Sequence, residues 1–98
     1  MKDATFECDD EKAKTNLAAH GVSFESARDV FLDPFAVDWF DEREDYGEDR
    51  YATIGMTSGR LIFVAYTMRD ARIRLISARG AEPFERRIYG DDGRGSGH

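Results

Sequence analysis

Leu61-Ile62-Phe63-Val64-Ala65-Tyr66 is an apolar run with a turn signal at each end, and it constrains the fold more than any other stretch of the chain. Its six residues fall far short of the roughly 20 that a membrane-spanning helix needs. Apolar side chains at both parities mark it as a central strand. Ser58-Gly59 before it is a two-residue hairpin signal, and Arg69-Asp70-Ala71 after it is a tight connection of similar kind. Short connections require antiparallel neighbours. Residues 50–57, 60–68 and 72–78 therefore read as three consecutive antiparallel strands. Residues 35–40, with period 2, add a fourth, followed by the polar, acidic connection 41–49 that contains Gly47. Thr5 to Cys8 is a short β segment able to make a fifth.

The first third repeats at 3.6 residues instead. Asp9 or Asp10 supplies an N-cap for a helix running to about His20, with Gly21 as its stop. Ala13, Leu17 and Ala18 form its narrow apolar stripe. Ser23 caps a second helix whose Phe24, Ala27, Val30 and Phe31 share one buried face, and Asp33-Pro34 ends it. A third helix spans Glu82 to Tyr89, opened by Pro83 and carrying Phe84, Arg87 and Ile88 on one face. The expected fold is α+β: two N-terminal helices on a four-stranded antiparallel sheet, five-stranded if the N-terminal segment joins, with a short C-terminal helix. Residues 1–90 form one domain, because 98 residues cannot bury two cores, and the glycine-rich tail 91–98 is expected to be disordered.

Cys8 is the only cysteine, which excludes an internal disulfide and a cysteine-rich zinc module. No apolar stretch resembling a secretory signal follows Met1, so the chain reads as soluble and cytoplasmic, without membrane attachment. Charge is distributed unevenly. Residues 1–50 hold 6 basic and 15 acidic side chains, whereas residues 51–98 hold 8 and 5, and all eight of the latter cations are arginine. With a net charge of −6 the protein is a poor non-specific binder of nucleic acid, so any such contact must come from a local patch. Arginine supplies the planar donor fork that suits phosphate. The alternative is a solvated face that balances the acidic half.

In residues 72–78, Ile73 and Leu75 point to one side and Arg72 and Arg74 to the other. One side of the sheet is thus expected to pack on helices and the other to present arginines. Arg79 falls on the helix side if that strand stays regular, so it is expected past the strand end, where it can join Arg74. Cleavage of an RNA phosphodiester needs cations for the pentacovalent state and groups that move protons. Arg72, Arg74 and Arg79 can supply the first, and His20, Glu48 or Tyr66 the second. His20 beside Gly21 equally suits a partner for the helix dipole. No metal-ligand constellation, calcium loop or phosphate-cradling glycine loop is present in the sequence, so no cofactor is expected.

Six segments, in this order and spacing, resemble the BrnT toxin family: Phe6 to Leu17, His20 to Ala27, Val30 to Pro34, Gly47 to Tyr51, Val64 to Thr67 and Arg72 to Arg79. The resemblance covers about residues 5–89. It implies a RelE-like fold and a metal-independent endoribonuclease that stops translation. It also implies a BrnA-like antitoxin, joined to the toxin in a heterotetramer and alone responsible for operator DNA. His20, Glu48, Arg50, Tyr66, Arg74 and Arg79 occupy matching motif positions, and Arg50, Arg60 and Arg72 are expected to bind substrate. The antitoxin is expected to neutralise a self-repelling arginine face with acidic and apolar residues, beside Trp39 or Phe63. The other reading is a non-catalytic module of the same fold that acts as co-repressor with its antitoxin.

Overall fold

Ser58 and Gly59 have φ values of 51° and 76°, and Asp70 and Ala71 of 52° and 64°, so each connection flanking the apolar run is a tight turn of two left-handed residues. A computed structural model describes residues 2–42 and 47–90. The elements are β1 (Phe6–Glu7), α1 (Asp10–His20), α2 (Phe24–Val30), β2 (Val37–Asp41), β3 (Arg50–Thr57), β4 (Arg60–Arg69), β5 (Arg72–Gly80) and α3 (Pro83–Ile88). The fold is α+β, and the sheet has five strands in the order β1-β5-β4-β3-β2, with β4 at its centre.

The sheet is mixed rather than antiparallel. β1 lies parallel to β5, with Phe6 opposite Ile73 and Glu7 opposite Arg74. A parallel pair requires a long crossover, which both helices and the other strands provide here, and a four-residue segment carries no directional signal of its own. β2 starts at Val37, two residues later than its period implies. Asp33 holds the preceding turn, its Oδ1 accepting the Phe35 N–H at 2.9 Å and its carbonyl the Ala36 N–H at 3.0 Å. Much of the acidic connection (residues 43–46) and the tail 91–98 lie outside the described residues.

α1 and α2 cover one side of the sheet, where Phe24, Ala27 and Val30 meet Ile62, Val64, Leu75 and Ala78. α2 approaches β3 closely because position 55 is glycine: a Cβ there would stand 2.9 Å from Val30 Cγ1 and 3.1 Å from the Val30 carbonyl oxygen. α1 departs from its expected stripe, since Leu17 is 52 % exposed and Ala18 faces solvent. Its anchor is Asn16. The side-chain amide donates to the Ala78 and Val22 carbonyls at 2.9 Å each, and its oxygen accepts the Ala78 N–H at 3.0 Å. β1 flanks only the start of β5, so Asn16 takes the place of a neighbouring strand for the exposed part of that edge.

A bulge in β5 changes which side its second half presents. The register passes from Tyr66–Leu75 to Ala65–Ser77, which leaves Ile76 without an opposite residue. Leu75 and Ala78, three apart, both enter the helix-side core. Arg79 accordingly stands within the strand, opposite Phe63, on the same side as Arg74. The expectation that it must lie past the strand end assumed a regular strand. The arginine side is not bare either: α3 lies across it, where Ile88 and Tyr89 pack with Ile54, Leu61 and Phe63.

Candidate functional site

Three cross-strand rows build the side of the sheet away from α1 and α2. The first contains Glu7, Arg74, Thr67 and, beyond it, Arg50 and Asp41. The second contains Ser77, Ala65, Ala52 and Trp39, a floor of small side chains with one indole at its end. The third contains Arg79, Phe63, Ile54 and Val37. Thr67 and Phe63 are four residues apart along β4, so the backbones of Arg74 and Arg79 are about 13 Å apart. The two arginines share a face but not one phosphate.

Each is already held by a buried carboxylate. Arg74 Nη1 lies 2.6 Å from Glu7 Oε2, and Glu7 is 7 % exposed. Arg79 donates end-on to Glu85, Nη1 to Oε1 at 2.9 Å and Nη2 to Oε2 at 2.8 Å, and Glu85 is fully buried. The Arg79 guanidinium carbon lies 4.2 Å from the centroid of the Phe63 ring, and Nη1 also donates to the Gly80 carbonyl at 3.1 Å. Arg72 Nε donates to the Asp3 carbonyl at 2.6 Å. The N–H groups of Phe6 and Thr5 hold the Asp3 carboxyl below the ordinary carboxylate range. Arg50 Nε lies 3.4 Å from Glu48 Oε2. The face is therefore a set of internally compensated cations rather than a self-repelling array. Phe63, expected beside a partner, is buried beneath Arg79 and α3.

The remaining candidates divide by position. Arg60 lies at the far end of the sheet, its Nη1 3.5 Å from the carbonyl of Gly21 and its Nη2 close to Gly80. It thus bridges the residue after His20 and the residue after Arg79. His20 is exposed in the last turn of α1 and lines an open cleft of about 340 Å³ with Lys12, Thr15, Ile76 and Ser77. Glu48 stays with Arg50 at the opposite end. Tyr66 is on the helix side, in a line of rings from Phe40 through Tyr51, Tyr66 and Phe31 to Phe6, with centroids 5.1–5.5 Å apart. Burial, then the Asp38 carboxylate 3.4 Å from its hydroxyl, push the Tyr66 phenol up to about 12. It is a neutral hydrogen-bond donor at physiological pH.

Sequence reasoning missed Glu7, Asn16, Asp33 and Glu85. Asp33 gathers three donors, the N–H groups of Phe35 and Met56 and the Tyr89 hydroxyl, and ties α2, β3 and α3 together. Burial opposes ionisation there, but those three donors outweigh it and lower the carboxyl. Glu85 had a legible signal: Glu82-Pro83-Phe84-Glu85 has capping-box spacing, and both arms of the box form. Asn16 and Glu7 had none, since the β5 residues they hold lie more than 60 residues away.

Among the described residues, no three side chains of His, Cys, Asp or Glu converge as metal ligands would, and no helix is long and apolar enough to cross a membrane. No curated protein matches the chain. The family model for the ribonuclease toxin BrnT of type II toxin–antitoxin systems does match, over residues 8–85, from the cysteine just after β1 to the glutamate that holds Arg79, and the chain belongs to that family.

Proposed function

We propose that this protein is a metal-independent endoribonuclease that halts translation until a BrnA-like antitoxin covers the arginine-bearing face. The observation that carries this reading is the β5 bulge, which puts Arg79 on the same side as Arg50, Arg72 and Arg74. In the proposed reaction the 2′-oxygen attacks phosphorus as its proton leaves. The bond to the 5′-oxygen breaks, that oxygen takes up a proton, and the products are a 2′,3′-cyclic phosphate and a 5′-hydroxyl. Arg79 holds the scissile phosphate, with His20, which reaches the β5 edge through the cleft it shares with Ser77, as the proton carrier. Arg50, Arg72 and Arg74 hold neighbouring phosphates of the same strand, because 13 Å or so separates the two groups. Arginine serves here in place of a metal ion, its N–H groups meeting charge that develops on the non-bridging oxygens.

Inhibition would be competitive, with acidic antitoxin side chains taking the positions of RNA phosphates. A second reading, the non-catalytic co-repressor, is favoured by two observations: Arg74 and Arg79 do not share one phosphate, and Glu48 and Tyr66 stand away from Arg79 while His20 projects from α1. The test is expression of the chain alone with Arg79→Lys beside the wild type. Alanine at this position would strand the Glu85 charge in the core at a cost of about 3–5 kcal/mol, whereas lysine keeps the charge and removes the fork. Wild type should arrest growth and cleave RNA in excess EDTA, and Arg79→Lys should be at least ~100-fold slower while still unfolding cooperatively. Wild-type expression that leaves growth and bulk RNA intact would favour the co-repressor.

A further inference from the structure

Arg79 has five N–H donors, and three of them are engaged. One hydrogen of Nη1 and one of Nη2 go to the two oxygens of Glu85, and the other hydrogen of Nη1 goes to the Gly80 carbonyl. The Glu82 carboxylate, 3.9 Å from Nη2, is too far for a hydrogen bond. Nε–H and the second Nη2–H are left, and these two form the side-on fork that matches two oxygens of a phosphate. The guanidinium cannot readily turn away. Phe63 lies beneath its plane, Gly80 fixes one corner and Glu85 fixes the end. Glu85 is itself immobile, being fully buried, with Oε1 also accepting the Glu82 N–H at 2.8 Å in the cap of α3. On the fork's side of the sheet the floor is low, built by the half-exposed Ala65 and Ser77.

We infer that Glu85 is the positioning residue of Arg79: it takes the guanidinium end-on so that the side-on fork is presented to one RNA phosphodiester. This rests on the ribonuclease reading above. It also gives α3 a task, since the six-residue helix starts immediately after β5 and carries Glu85 back over Phe63. The two ends of the guanidinium thus have separate duties, one toward the fold and one toward the substrate.

Glu85→Gln keeps the helix cap, because glutamine serves in a capping box, but it turns an N–H₂ group toward the arginine donors and rotates the fork. A reacting group displaced by about 1 Å loses on the order of 10²-fold in rate. The experiment measures single-turnover cleavage of an RNA oligonucleotide and, separately, the affinity for its non-cleavable 2′-deoxy analogue. Glu85→Gln should cleave on the order of 10²-fold more slowly while its affinity changes far less, because the other arginines still bind the strand. In an Arg79→Lys background the same change should cost almost nothing further, since the fork is already gone. Equal losses in both backgrounds, or full activity of Glu85→Gln, overturn the assignment. If Glu85→Gln does not fold, side-chain ¹⁵N spectra of the wild type decide: the 2′-deoxy analogue should move the Arg79 Nε–H signal, and an unmoved signal refutes the fork. A wild type without cleavage overturns the ribonuclease reading and this inference together. A wild type that depends on Arg79 but not on Glu85 overturns this inference alone.

Discussion

Replacing Asn16 with alanine removes three hydrogen bonds of 2.9–3.0 Å, two that hold α1 to Ala78 of β5 and one to the Val22 carbonyl ahead of α2. Each contributes about 1 kcal/mol net, and a backbone group left buried without a partner costs about 1–3 kcal/mol more. The adjoining open cleft moderates this second penalty, because water can enter from it and satisfy the Ala78 and Val22 groups. The expected loss is therefore about 3 kcal/mol rather than twice that, a large share of the 5 kcal/mol or so available to a marginal domain. With a urea m-value of about 1.5 kcal/mol/M, the unfolding midpoint should fall by about 2 M at unchanged m. The control is Leu17→Gln, one position along the same helix. Leu17 is 52 % exposed, so its variant should unfold within ~0.5 kcal/mol of wild type. A midpoint shift below about 0.5 M for Asn16→Ala, or an equal shift for Leu17→Gln, would refute the assignment of α1's anchor to a polar side chain.

Two further outcomes follow from the packing and from Tyr66. Gly55→Ala forces a Cβ to 2.9 Å from Val30 Cγ1 and should cost about 1–3 kcal/mol in urea unfolding by displacing α2 from β3. The Tyr66 phenol is raised from 10.0 to about 12, so the folded state favours its neutral form: this contribution is fully present below pH 10 and is lost as pH rises through about 12. Tyrosinate absorbance should show a late-titrating phenol that disappears in Tyr66→Phe, and that variant should flatten the fall in stability over the same interval. The same variant should cleave RNA at close to the wild-type rate, since the hydroxyl lies on the helix side of the sheet and donates to Asp38.

Local signals were legible wherever the relevant physics is local. Gly59 supplies the left-handed residue of its turn, the short connection at Asp70-Ala71 closes the next hairpin, and Ser23 caps α2 through its bond to the Ser26 N–H. The buried stripe of Phe24, Ala27 and Val30 follows from helical spacing alone. What escaped reading depends on partners distant in the chain. The direction of β1 is set by Ile73 and Arg74, and Asn16 is chosen by a strand edge that exists only after folding. Arg79 shows the difference most clearly. Its residue type marked it as a phosphate ligand, but its face depended on one extra residue at Ile76, and parity arguments cannot detect a bulge. The carboxylates that compensate the arginines come from β1 and α3, at the two ends of the chain, so a count of charges along the sequence shows an imbalance that the folded sheet largely cancels.

The parallel pairing of β1 with β5 also bears on how the molecule comes into being. Glu7 and Arg74 are 67 residues apart, and Asn16 and Ala78 are 62 apart. Synthesis proceeds from the N-terminus, so β1 has no strand to pair with, and Asn16 no strand edge to hold, until residues 73–78 have been made. Closing such distant pairs before they can reward the lost chain entropy makes for slow assembly, in the millisecond-to-second range typical of sheets with many long-range pairings. The cationic surface is completed last of all, when residue 85 reaches residue 79. A translation product that stops before residue 85 therefore lacks the Arg79–Glu85 pair, and the order of synthesis leaves that arginine unheld until the strand it stands on is already complete.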